Sequence, residues 1–426
     1  MPEIGRLLRP DVLTALSITP WILFAYLAFT IVTAGLTWAA PVRYRKPLLL
    51  VASLAFGWLF LDPVIALVVL GVTLALFVIS RWLPPGRPRV LAAAALLAFV
   101  FLPFCFSGVP IERALIRSQG WPGQLVLLMV FFKRAIYFAY ELHHGRIRRP
   151  SLVDFLVSFI SLPFLLGRAP VVAYTHLHDR YRPVDAKALW SGSRTVLFAL
   201  LHLAALGLLA GRFIHVPMDA PLAHAAVHMP WAELAMVLGL NYLAFYLFRY
   251  SHEQISVGAA RLLGFAIDDN YANPLASTDY ADFWRRWNIH FRQMLVSMFY
   301  YPVALRLSRR FPRRKKLNVI GACIAVFTVH GLFMLYTMGM FIPLGQTRRW
   351  GDLALSLLLY ELLQVVLTAG SLLLLGRAHR TGRWRWIGVP LGISVTFVLR
   401  ALMLLLIWRR SMGLPAAAVV FLALMP

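Results

Sequence analysis

Asp282-Phe-Trp-Arg-Arg-Trp-Asn-Ile-His290 mixes charges and aromatic rings in a chain otherwise dominated by long apolar runs. A bilayer-crossing helix needs about 20 mostly apolar residues, and this stretch does not provide them. Further on, Val329-His-Gly331 places a histidine inside the apolar run 317–341. An ionisable side chain at membrane depth is costly to hold there and marks a functional-site hypothesis. The reading of the fold therefore turns on how the 282–290 stretch sits among spans that it cannot itself be.

The segment 261–316 departs from the spanning pattern as a whole. It opens with the polar Asp268-Asp-Asn-Tyr-Ala-Asn-Pro274. Ser277 or Thr278 then offers an N-cap, and Asp279 and Asp282 fall in the first turn, where the helix dipole favours anions. Phe283, Trp284, Trp287, Phe291, Met294, Leu295 and Met298 follow in steps of one, three and four, which predicts one apolar helix face. On a continuous helix Asn288 lies one turn from Trp284 and Arg292, while His290 points away from Asn288 toward the interface. Pro302 marks an end or kink, and Arg306, Arg309, Arg310 and the basic run 313–316 come next. Such a helix lies on the membrane surface or dips into it, its basic end cytoplasmic.

The composition fits the same picture. Of 426 residues, 60% are hydrophobic, with a mean hydropathy of +0.73, as expected of a polytopic membrane protein and not of a soluble chain of this length. We read 1–426 as a single membrane domain with its core at about 120–340. The 42 Lys+Arg against 17 Asp+Glu give a formal charge of +25. The basic residues sit in short loops between apolar runs, the positive-inside pattern, and no base-reading module accompanies them, which excludes nucleic acid as a partner. Cys105 and Cys323 lie in separate apolar runs and read as buried core residues. The 1–20 segment, interrupted by Asp11 and Pro20, reads as an interfacial lead-in instead of a signal peptide.

Spans are expected at 21–40, 47–61, 63–82, 89–106, 123–142, 152–168, 190–210, 229–250, 317–341, 352–376, 386–408 and 412–425. The second, sixth and last are short, so the fold class is an all-α polytopic membrane protein with about 10–12 spanning helices plus an amphipathic or re-entrant helix. Arg43, Arg45 and Lys46, then Arg81, Arg87 and Arg89, then Arg146, Arg148 and Arg149 mark alternate loops as cytoplasmic and place the N-terminus outside.

His330 sits between Phe327 and Phe333. An unpaired charge there is expensive, and a neutral imidazole can take a proton from a hydroxyl. The bland alternative is a histidine that hydrogen-bonds between packed helices. Asn288 cannot act as a base, but its carboxamide can hold a carbonyl or an oxyanion; alone it reads as a polar residue on a wet face. Glu233, Asn241, Glu253 and Glu361 lie in or beside apolar runs and either line a polar tunnel or pair with an arginine such as Arg249. His143-His144 and His176-x-His178-Asp179 match no zinc spacing, so no metal site is expected. A P-loop, a dinucleotide fingerprint and a Gly-x-Ser-x-Gly elbow are all absent from the sequence.

From Asn273-Pro-Leu-Ala-Ser-Thr-Asp-Tyr-Ala-Asp-Phe-Trp-Arg-Arg-Trp287, and again at Val329-His-Gly-Leu332, the chain resembles the membrane-bound O-acyltransferase family. Its bacterial members include the alginate O-acetylation and teichoic-acid D-alanyl transfer proteins. The resemblance covers about 120–339, with earlier helices at 131–150 and a Pro-rich re-entrant stretch at 155–170. Many bacterial members carry histidine directly after Arg-Arg-Trp; Asn288 stands there instead, as in the sterol and diacylglycerol branch. Gly167-Arg-Ala-Pro170 is a weaker match to the family's Gly-Pro-Ile.

The resemblance implies a ring of tilted helices around a thinned centre, a cytoplasmic funnel for an acyl thioester, and an opening for the acceptor. It implies His330 as general base and Asn288 as the second active-site residue. We therefore expect a multi-pass O-acyltransferase of the bacterial inner membrane. It would use acyl-CoA or an acyl carrier protein as donor and bind no cofactor. The acceptor would be a hydroxyl of a cell-envelope glycan or of an extracytoplasmic relay protein, with a membrane lipid as the alternative. Asp282, Trp284, Arg285, Arg286 and Trp287 are the expected substrate-site residues, fixing the helix that carries Asn288, with arginine also suited to donor phosphates. Two other classes remain: a transporter or flippase with His330 as proton relay, and a non-catalytic scaffold of an export complex.

Overall fold

A computed structural model describes residues 20–84, 86–106, 123–147, 151–165, 169–182, 184–212, 231–339 and 347–374. The spans expected at 386–408 and 412–425, and the 1–19 lead-in, lie outside them, as do the side chains of Glu233 and Asn241. The described residues form fourteen α-helices. Among them there is no strand, only an isolated bridge between Tyr181 and Phe265. Four helical stretches are long and apolar enough to cross a bilayer: Ile22–Ala39, Pro63–Trp82, Ala186–Leu208 and Lys315–Leu335. The chain is an all-α membrane protein.

Two compact units divide the chain. The first comprises the described residues of 9–204 and 250–269. Its helices are α1 (Pro20–Ala39), α2 (Val42–Phe60), α3 (Pro63–Trp82), α4 (Arg87–Phe106), α5 (Gly123–His143), α6 (Leu152–Ile160) and α7 (Tyr174–Asp179), with the first part of α8 (Ala186–Arg212) and the last part of α9 (Trp231–Leu262). Asp62 caps α3 by accepting from Val64 N–H at 2.9 Å, ahead of Pro63 in the first turn.

The stretch at 152–168, short for a crossing in the sequence, is not long enough to make one. α6 has nine residues, about 14 Å of helix against a hydrocarbon core of about 30 Å. After Ser161 the chain passes into a short 3₁₀ turn at Leu162–Phe164. Proline cannot continue the hydrogen-bond ladder, and Pro163 takes the first positions of that turn. The freed backbone groups are satisfied within the protein, as irregular backbone at membrane depth requires. Leu162 N–H donates to Ser53 Oγ at 2.7 Å. Arg134 of α5, buried, donates to the carbonyls of Ser158 and Phe159 and lies 4.2 Å over the Phe164 ring. Glu141, two turns further along the same face of α5, accepts from the Tyr174 N–H at 2.8 Å and so closes the start of α7. Phe138, Phe155, Phe159 and Tyr174 fill the space between these elements. α8 and α9 approach closely at Gly192 and Gly258: a Cβ on Gly258 would come within 2.9 Å of the Gly192 carbonyl oxygen, the use that packed membrane helices make of small residues.

The second unit comprises the described residues of 205–249 and 270–426. It contains α10 (Tyr280–Arg286), α11 (Ile289–Leu295), a π-helical turn at Val296–Tyr300, α12 (Tyr301–Arg310), α13 (Lys315–Gly339) and α14 (Thr347–Leu374). α13 and α14 pack along each other, with α10 against α14 and α11 against α13.

The single amphipathic helix expected from 279 to 298 is two helices. Asp279 is the N-cap, accepting from Asp282 N–H at 2.8 Å. α10 ends where Trp287 turns to extended backbone (φ −100°, ψ 130°), and Asn288 follows in the left-handed region at φ 44°, ψ 56°. Asparagine tolerates that region better than most non-glycine residues. The apolar spacing survives the break, which is why the periodicity reads through it.

Candidate active site

The break at Asn288 is held from the polar loop that precedes α10. Asn270 is fully buried. Its carbonyl accepts from Ile289 N–H at 2.9 Å, and its Oδ1 accepts from His290 N–H at 3.0 Å. Its Nδ2 donates to Asn288 Oδ1 at 3.2 Å. Asn288 gives α11 no side-chain cap, so Asn270 satisfies two of the donors that every helix start leaves open. The Asn288 carboxamide is thereby oriented through its oxygen, and its Nδ2 has no hydrogen-bond partner among the described residues. His290, expected at the interface, is buried at 2% exposure. Because α11 starts anew at Ile289, its register is not the one a continuous helix would give.

The other expected residues of α10 divide into two groups. Trp284 and Arg285 line a cavity of about 210 Å³. Asp282, Arg286 and Trp287 are not among its lining residues and hold the turn. Asp282 binds Arg285 at 2.7 Å and Arg286 at 2.9 Å and accepts from Thr278 N–H at 3.2 Å. Burial alone would raise its carboxyl, but the Thr278 N–H and the two guanidinium groups outweigh it and hold it below the usual carboxylate range. Arg286 also donates to the Ala272 carbonyl at 3.2 Å, tying the loop to the helix. Trp287, with no exposed surface, stacks on Phe283 at 5.4 Å and meets Tyr271 edge-on at 5.1 Å.

His330 lies on α13 and is 1% exposed. Cys323, Val326, Phe327 and His330 share the stripe of α13 that lines the cavity, as a helical repeat of three to four residues dictates. Cys323 is buried, as its apolar run suggests. Three rings wall the imidazole: Trp284 at 5.8 Å, Phe291 at 6.0 Å and Phe327 at 6.3 Å. Both arms of the broken helix thus reach His330, α10 through Trp284 and α11 through Phe291. No hydrogen bond joins Asn288 to His330, and Asn288 is not a lining residue of this cavity.

The partner of His330 is Glu361 of α14, whose Oε1 lies 2.8 Å from the histidine Nδ1. Sequence reasoning offered Glu361 a tunnel wall or an arginine; the structure gives it the histidine. His330 Nε2 and Glu361 Oε2 are buried and have no hydrogen-bond partner among the described residues. One helical turn on, Gln364 accepts from Trp284 Nε1 at 3.1 Å and from the Tyr280 hydroxyl. α14 is thereby pinned to α10, and Thr368 and Leu372 complete its contribution to the cavity wall. The remaining wall is mostly apolar, with Arg285 and Arg292 as its cations. Burial pulls the Arg292 guanidinium below its ordinary range. Asn270, Glu361 and Gln364 are site residues that sequence reasoning did not assign. Asn270 stood in a visibly polar loop, and the i, i+3 spacing of Glu361 and Gln364 on an apolar helix was the available signal for the other two.

A buried histidine with one ring nitrogen bound to a carboxylate and the other unsatisfied, beside a small apolar cavity, has the parts of a general base with its orienting group. Residues 21–349 match the model of the membrane-bound O-acyltransferase family. The chain is also similar to a protein of Azotobacter vinelandii described as "Probable alginate O-acetylase AlgI". The two are 24% identical over 294 residues, covering 62% of this chain and 56% of that protein. With the family model spanning the greater part of its length, the chain belongs to the membrane-bound O-acyltransferase family.

Proposed function

We propose that the protein is a multi-pass O-acyltransferase of the bacterial inner membrane, with His330 as its general base and no bound cofactor. It moves an acyl group from a cytoplasmic thioester, acyl-CoA or an acyl carrier protein, to a hydroxyl of a cell-envelope glycan or of an extracytoplasmic relay protein. The observation that carries this reading is the unsatisfied Nε2 of His330, buried and beside a cavity, with Nδ1 already held by Glu361. A histidine serving only to bridge two helices would have no use for a second, unpartnered ring nitrogen, since a buried polar atom left unpaired is costly.

In the mechanism, Nε2 takes the proton of the acceptor hydroxyl as the oxygen attacks the thioester carbonyl. The C–O bond forms, the C–S bond breaks as the tetrahedral intermediate collapses, and the departing thiolate takes the proton back from the imidazolium. Asn288 Nδ2, left for a ligand by the grip of Asn270 on Oδ1, is the donor that the family resemblance assigns to the thioester carbonyl or its oxyanion, although Asn288 lies outside the lining of the cavity beside His330. Trp284 walls the cavity, and Arg285 and Arg292 suit the anionic groups of a donor. Asp282, Arg286 and Trp287 act by holding the broken helix in register. The match to an alginate O-acetylase supports a glycan acceptor.

Mass spectrometry of envelope glycans and lipids from cells with and without the protein tests this. An acyl ester that is present only when the protein is present, and lost in a His330→Ala strain, supports it. Unchanged acylation refutes it. Acylation lost on deletion but retained in His330→Ala identifies a scaffold.

A further inference from the structure

We propose that Glu361 is a positioning residue for His330, and that Gly331 is the gap through which its carboxylate reaches the ring. This rests on the reading of His330 as the base. A carboxylate oxygen accepts, so we assign the proton of the 2.8 Å contact to Nδ1, which leaves the lone pair on Nε2. Neutral imidazole carries one proton, and a side chain that fixes it on Nδ1 makes Nε2 the proton acceptor. The same carboxylate stabilises the imidazolium that forms when the acceptor is deprotonated, without itself taking the proton.

Three further observations support the assignment. Glu361 is only 6% exposed, and its second oxygen has no partner among the described residues, so the histidine is its bonded group there. The imidazole is otherwise walled by rings, which orient it sterically but cannot choose its tautomer. The residue after the histidine is glycine, and a Cβ there would lie 2.8 Å from Glu361 Cγ and 3.6 Å from Oε1. The Val-His-Gly turn of sequence therefore has a physical reading: the glycine at 331 lets a side chain of the next helix cross α13 and meet the histidine beside it. Gln364, held by Trp284 and Tyr280, fixes the face that α14 presents.

The test uses membranes carrying the full chain, a panel of acyl-CoA thioesters from acetyl to palmitoyl, and the envelope fraction as acceptor, read as thiol release and acylated product. Glu361→Gln keeps the shape but can place a donor against Nδ1 and so select the wrong tautomer. We expect kcat to fall by about 10²–10⁴, the range that general-base catalysis contributes, with donor KM and thermal midpoint unchanged. Gly331→Ala, which alters no hydrogen-bonding group, should lower kcat in the same way. In a His330→Ala background neither change should lower the residual rate further, since groups acting as one unit are not additive. If His330→Ala is inactive while Glu361→Gln or Gly331→Ala turns over like wild type, the positioning role is overturned and the base survives. If Glu361→Gln fails to fold, Gly331→Ala decides by the same criterion. Wild-type turnover in His330→Ala would instead remove the base, and with it this role for Glu361.

Discussion

Substitution of Asn288 separates two jobs that one residue performs. Its backbone sits at φ 44°, where a side chain other than asparagine or glycine is strained by about 1 kcal/mol or more. Its Oδ1 accepts the Asn270 Nδ2 at 3.2 Å inside the protein, and losing that buried hydrogen bond costs about 0.5–1.5 kcal/mol. Asn288→Ala meets both penalties, for a total of about 1.5–3 kcal/mol. Asn288→Gly meets only the second; it escapes the left-handed strain of about 1–2 kcal/mol and gives back about 0.5–1 kcal/mol to its less ordered unfolded chain, so it should exceed Ala in stability by roughly 0.5–1 kcal/mol. The assay is the thermal midpoint of detergent-solubilised protein followed by size-exclusion chromatography, alongside acyl transfer in membranes. Both variants should lose turnover, because both lack the carboxamide donor. Asn288→Asp keeps the acceptor oxygen and the side-chain type that tolerates this backbone but loses Nδ2, and it too should lose turnover. Alanine as stable as glycine would refute the left-handed break. Wild-type turnover in Asn288→Asp would refute the donor role.

Two further outcomes follow from residues that hold the frame. Arg134→Leu leaves the Ser158 and Phe159 carbonyls at the end of α6 without their donor and should lower the thermal midpoint, at about 1–3 kcal/mol for the lost pairing; Arg134→Lys should recover little, lacking the planar fork. A leucine variant as stable as wild type contradicts that role. Asp282 has its pKa depressed in the folded state, so its stabilising contribution is present above the ordinary carboxylate range and disappears as the pH falls through its lower, folded value. Asp282→Asn should therefore be less stable than wild type at neutral pH, with the two midpoints converging on acidification below about pH 4. Parallel curves across that range would argue against the ion pairs with Arg285 and Arg286.

Much of this architecture is legible in the sequence, because lipid imposes a simple rule on apolar length. The runs at 21–40, 63–82 and 317–341 are helices within a few residues of where hydropathy puts them. What hydropathy misses is local backbone chemistry. At 152–168 the run is apolar apart from Asp154, Ser158, Ser161 and Arg168, yet Ser161 and Pro163 end the helix after nine residues, and an arginine on a neighbouring helix makes the ending tolerable. At Asn288 a single left-handed residue breaks a helix without disturbing the three- and four-residue spacing of its apolar side chains, so no periodicity argument can detect it. The site shows the same division. His330 stands out as an ionisable residue in an apolar run, and the family pattern brings Asn288 with it. Glu361 is visible as a charge in a span, but its partner depends on the rotation of α14 against α13. That rotation is set by Gln364 gripping Trp284 and Tyr280 and by the open face of Gly331, contacts that join residues tens of positions apart.

The most direct measurement is the acyl-transfer rate of His330→Ala in membranes where the variant inserts and elutes as a monodisperse species like wild type. Transfer from the thioester should fall to the level of membranes lacking the protein. Transfer at the wild-type rate would show that His330 is not the base.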